Sequence, residues 1–129
     1  MIDLKQLVDA IRQVAATEPD KVYVGNTDDE VGPSTCEYTP NARNGCGCIV
    51  GEAMLLLGVD QGRLHALDLL GYDRPVGWTS TAAVSALSDL MTREALVSEW
   101  VQRVQIHQDQ GCSWGRAVEL ADQSIGAPA

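Results

Sequence analysis

The chain is 129 residues long, 45% hydrophobic and 21% charged, which suits one globular domain and excludes disordered, collagen-like and low-complexity classes. Eighteen acids against nine bases leave a net charge of -9; nucleic-acid phosphate and anionic membrane surfaces repel such a chain, so direct nucleic-acid binding is disfavoured and no membrane partner is expected. The bases do not gather into a patch, and only Lys5 and Lys21 are lysines.

Leu4, Leu7, Val8, Ile11, Val14 and Ala15 recur at three- and four-residue steps, so an amphipathic helix is predicted over 3–16, with Asp3 at its start. Acids within this segment make it a poor secretory signal, and a cytoplasmic location is expected. Thr17, Glu18, Pro19 and Asp20 break the pattern, and 21–25 reads as a short strand entering a polar loop at 26–34. The segment 35–39 alternates and is predicted to return antiparallel to 22–24 as a small hairpin packed on helices.

After the turn-rich run at 40–47, residues 48–57 are apolar on nearly every side and are predicted to form the central, most buried helix, ended by Gly58. The longest apolar stretch, Ala53 to Val59 with Gly58 inside it, falls far short of the roughly 20 residues a membrane span needs. Asp60 caps a following helix to Leu70, closed by Gly71. A loop over 72–78 leads to an alanine-rich helix capped by Thr79 or Ser80 and carrying Leu87, Leu90 and Met91. One long helix is predicted from about 93 to 110, with Leu96, Val97, Trp100, Val101 and Val104 on one face and Gly111 as its stop. Ser113 caps the last helix, which carries Trp114, Ala117, Val118 and Ala121 on one stripe. The expected fold is therefore mainly α: a compact bundle of five or six helices with one small antiparallel β-hairpin, a single domain over 1–125 and a frayed tail at 126–129.

The most unusual local run is Asn44-Gly45-Cys46-Gly47-Cys48-Ile49-Val50-Gly51. A cysteine at a helix N-terminus feels free backbone N–H groups and the positive end of the dipole, which favours the thiolate. Cys48 is thus the candidate nucleophile, with His107 as candidate base. The run is loosely similar to the nucleophile helix of papain-like cell-wall peptidases, but those need a base from a following sheet, and His65 and His107 both fall in predicted helices. Cys36, Cys46, Cys48 and Cys112 are the candidate metal ligands, although zinc sites space paired ligands two to four residues apart and the close pair here has one residue between its thiols. Against both stands the plainer expectation of reduced, buried thiols packed as small apolar groups, with no cofactor. The glycines admit a phosphate-cradling loop, but no Lys-Ser or Lys-Thr follows them; a tight turn, with Gly51 where another backbone packs close, explains them more simply. The helices around Gln110-Gly111-Cys112-Ser113 have helix-turn-helix length, yet Arg116 is the only cation on the second.

The segments Gly47-Cys48-Ile49-Val50-Gly51-Glu52-Ala53 and Gln108-Asp109-Gln110-Gly111-Cys112-Ser113-Trp114-Gly115-Arg116-Ala117-Val118 resemble small uncharacterised proteins of actinobacteriophages and their actinobacterial hosts. That resemblance implies work inside a bacterial host cell and carries no assigned activity, cofactor or site residue. Every catalytic constellation lacks a required member, so the sequence reads as a non-enzymatic accessory protein binding a host or phage protein. Asp28, Asp29 and Glu30 of the acidic loop are the candidate partner-binding residues. A homodimer is compatible with this reading. A cysteine-based metal site or thiol enzyme, and an acidic mimic of nucleic acid, are its alternatives.

Overall fold

A computed structural model describes residues 1–24, 38–40, 44–71 and 87–126, with 68–71 described by their backbone alone. Six helices lie in these segments: α1 Leu4–Thr17, α2 Ile49–Leu56, α3 Gln61–Gly71, α4 Arg93–Leu96, α5 Glu99–Asp109 and α6 Trp114–Ile125. The fold is mainly helical. None of the described helices is long and apolar enough to cross a membrane.

α1 forms where its period predicts. Asp3 and Gln6 make a reciprocal capping box: the Gln6 N–H donates to Asp3 Oδ1 at 2.8 Å, and the Asp3 N–H donates to Gln6 Oε1 at 2.9 Å. The apolar stripe of α1 buries Leu7, Val8, Ala10, Ile11 and Ala15. This face lies chiefly on α2 and touches α4 and α6, while α5 and α6 form the other extensive packing pair. Ile2 ties the chain start to the far side of the core through a parallel bridge to Met91, with its N–H on the Leu90 carbonyl and its carbonyl accepting from Thr92.

Gly58 follows α2 at φ +96, the left-handed conformation that stops a helix. Asp60 then caps α3 by accepting from the Arg63 N–H at 2.9 Å. The predicted long helix over 93–110 is instead two. Thr92 caps α4 and Ser98 caps α5, each side-chain oxygen accepting from the backbone N–H three residues on. A serine at 98 competes for the backbone of its own turn, and the break leaves Val97, expected on the buried face, 54% exposed. Downstream of the break the expected stripe holds, with Trp100, Val101 and Val104 buried.

The segment after α1 does not pair with a returning strand among the described residues. Val22 forms a single antiparallel bridge with Ser113, and the carbonyls of Lys21 and Pro19 accept from the N–H groups of Trp114 and Gly115, both at 2.9 Å. Those donors belong to the first turn of α6, which has no partner of its own for them. Residues 25–37, which hold most of the expected hairpin, lie outside the described segments, as does the expected alanine-rich helix up to residue 86; its expected end at Leu90 and Met91 is not helical, 88–90 forming a turn and Met91 the bridge to Ile2.

Candidate functional site

The backbone at Tyr38 runs directly across the start of α2. A Cβ on Gly51 would stand 2.7 Å from Tyr38 Cα, and one on Gly47 would stand 2.9 Å from the Tyr38 carbonyl carbon. Only glycine permits that approach, so the alternation of glycine with cysteine serves backbone packing. Cys48 is the N-cap residue of α2, as a nucleophile at a helix start would be, yet its side chain makes no capping bond and has no exposed surface. The Ile49 N–H beside it is already taken by Gln108 Oε1 at 2.8 Å. Cys46 is nearly as buried, and that burial pushes its thiol up from the ordinary value, with Lys21 pulling weakly the other way. A thiol held in its neutral form is the reverse of an activated one.

Gln108 is the hub of this region and was missed by the sequence reading. It is fully buried; its amide oxygen also accepts from Trp114 Nε1 at 3.2 Å, and its amide nitrogen donates to Asp109 Oδ1 at 2.9 Å. Asp109 ends this relay, and its Oδ2 is buried without a hydrogen-bond partner. Burial, opposed only by the bond from Gln108, pushes its carboxyl up to about 7. Gln105, one turn earlier, is also fully buried, and neither of its amide atoms has a partner. The signal was present in the spacing: 101, 104, 105 and 108 fall on one helix face, but a glutamine is seldom assigned to a core.

His107 carries a buried Nε2 without a hydrogen-bond partner, and its carbonyl accepts from the Cys112 N–H at 3.1 Å. Cys46, Cys48 and Cys112 are free thiols. Among the described residues, no three His, Cys, Asp or Glu side chains gather to hold a metal ion. Cys36, Asp28, Asp29 and Glu30 lie outside the described residues.

The surface opens elsewhere, between the C-terminal end of α1 and the outer flank of α2, in a cleft of about 360 Å³. Val14, Leu55, Leu56 and Trp114 give it apolar walls, and Glu18 and Glu52 give it two carboxylates. Glu52 is oriented by the Gly47 N–H, which donates to its Oε2 at 3.2 Å. α1 carries no basic residue in its last turn, so the negative end of its dipole adds to the charge of Glu18. Glu52 is legible in the sequence only as the one charge inside an apolar helix, and its pairing with Glu18 depends on how α1 meets α2. No protein-family model, curated protein or solved structure matches this chain.

A second polar cluster is structural. Arg12 grips Asp122 with two bonds of 2.9 and 2.8 Å while lying 4.9 Å from the centre of the Trp100 ring, and Trp100 Nε1 donates to the same carboxylate at 2.8 Å. The bond from Arg12, and secondarily that from Trp100, holds the Asp122 carboxyl below its ordinary value. This cluster joins α1, α5 and α6 with its donors and acceptors matched.

Proposed function

We propose that the protein is a non-enzymatic accessory protein of the host-cell cytoplasm that binds a host or phage protein through an acidic surface. One observation supports this best: the thiols with candidate chemistry, Cys46 and Cys48, are buried, while the α1–α2 cleft joins apolar side chains to two carboxylates. Carboxylates beside apolar surface suit recognition of a basic partner. The net charge of -9 strengthens the approach of such a partner over a distance of about 8 Å at physiological salt. In this reading Asp28, Asp29 and Glu30 of the acidic loop, which the sequence expects between strands at 21–25 and 35–39, are further partner-binding residues.

The tagged protein is expected to retain a specific protein from host lysate at about 50 mM salt and to release it by about 500 mM, where the Debye length falls below about 5 Å. The same binding measured with Asp28, Asp29 and Glu30 changed to Ala should be weaker. Retention of nothing at low salt, or retention indifferent to salt, would sink the reading.

A further inference from the structure

We infer that the α1–α2 cleft is a docking site for an arginine-bearing amphipathic segment of a protein partner, the guanidinium lying between Glu18 and Glu52 and an adjoining apolar side chain on Leu56. This rests on the protein-binding reading above and names the chemistry of the partner. Three observations converge on the occupant. Among the described residues, the charges lining the cleft are Glu18 and Glu52, and the end of α1 adds partial negative charge with no basic residue in its last turn. Lys21, close along the chain to Glu18, is engaged with the Asn44 carbonyl and with Cys46. Val14, Leu55 and Leu56 add apolar lining beside Gln13 and Thr17, and Leu56 is 50% exposed.

A carboxylate pair alone would suit any cation. The apolar component selects a side chain with a hydrocarbon stem, and arginine combines such a stem with a planar, weakly hydrated head that forks onto carboxylates. A free small cation would leave Leu56 wet, whereas a segment of chain carrying a leucine one turn from its arginine covers it. A volume of about 360 Å³ falls at the lower end of the range for binding pockets, enough for one anchoring side chain and its neighbour.

The test is a titration of the full-length protein, followed by amide NMR, with three probes: a twelve-residue amphipathic helix of Ala, Leu and Arg, the same peptide with citrulline replacing arginine, and spermine. The arginine peptide is expected to shift amides over 13–18 and 52–56 with a dissociation constant below about 1 mM, and the citrulline peptide to bind at least tenfold more weakly. The Glu18→Gln, Glu52→Gln double variant should lose about tenfold in affinity for the arginine peptide. Gln at 52 keeps an oxygen for the Gly47 N–H, and the single Glu18→Gln change, at an exposed position, reports on the site if the double variant loses its dispersed spectrum. Shifts centred elsewhere, no binding at millimolar peptide, equal binding of citrulline, indifference to the variants, or spermine binding as tightly as the peptide would each overturn the inference. If the peptide fails while lysate capture remains salt-sensitive, the cleft assignment falls and the protein-binding reading stands; if both fail, both fall.

Discussion

On one side of α2, Ile49, Val50, Ala53 and Met54 have no exposed surface; on the other, Glu52 and Leu55 are part-buried and Leu56 is half exposed. Local apolarity does not account for the contrast, since leucine sits on the open side and glycine on the closed one. The neighbours decide it. The closed side meets the Tyr38 backbone and the Gln108 amide, each of which fits a particular feature of the helix: a missing Cβ in one case, an unpaired N–H in the other. The open side meets the end of α1, which stops after Thr17 and leaves space beyond it. Burial on this helix therefore marks where another segment was shaped to fit, and exposure marks where a partner from outside would have to supply the fit.

The sharpest way to break this contrast is on the closed side. Gly51→Ala would gain about 1 kcal/mol of helix propensity in isolation, yet its methyl must displace the Tyr38 backbone, which yields far less readily than a side-chain tip. A net loss of about 3 kcal/mol is expected, a fall in Tm of about 10 °C in thermal unfolding. An unchanged Tm would mean that the two backbones do not meet.

A smaller effect, and one that depends on pH, belongs to Asp109 at the end of the Gln108 relay. Its carboxyl is raised in the folded state to about 7 from an ordinary value of 3.8. The folded protein thus holds the proton more tightly than the unfolded chain does, and the associated stability is complete below about pH 4 and lost as pH rises through about 7. Asp109→Asn is neutral throughout and keeps an oxygen for the Gln108 N–H. Its advantage over the parent in urea unfolding should therefore grow by about 2 to 3 kcal/mol between pH 5 and pH 8. A constant difference across that interval would show that Asp109 titrates like an exposed acid.

The smallest effect is expected on the open side. Leu56→Ser removes a side chain already half in water and should cost no more than about 1 kcal/mol of stability. The same change should weaken binding of an amphipathic arginine peptide by about fivefold or more in the NMR titration. A variant that unfolds would place Leu56 in the core instead.

The helices were legible where period and punctuation agree. Asp3, Asp60, Ser113, Gly58 and Gly111 all mark ends that the structure shows, and the stripe Trp114, Ala117, Val118 and Ala121 is the buried face of α6. Ser98 was overlooked because the apolar residues around it keep a helical spacing across the break, so the pattern hid a cap that local hydrogen bonding favours. Gly51 was read correctly as a point of close backbone approach, though its partner at Tyr38 could not be named from the sequence. The sites were less legible. Gln105 and Gln108 stand on a stripe whose apolar members invited a reading of core, and their polarity invited one of surface. That Glu18 and Glu52, 34 residues apart, line one cleft follows from the contact of α1 with α2, which no local pattern encodes.

The clamp of Arg12 on Asp122 spans 110 positions of sequence. During synthesis the α1 guanidinium therefore meets its carboxylate, and the Trp100 ring beside it, only after almost all of the described chain has left the ribosome. Until then α1 has part of its stripe unmatched, since α6 is the last described helix to be made. A protein built this way cannot complete its core in vectorial fashion from the N-terminus, and a nascent chain halted before residue 114 would display α1 and α2 to chaperones as an unfinished hydrophobic pair.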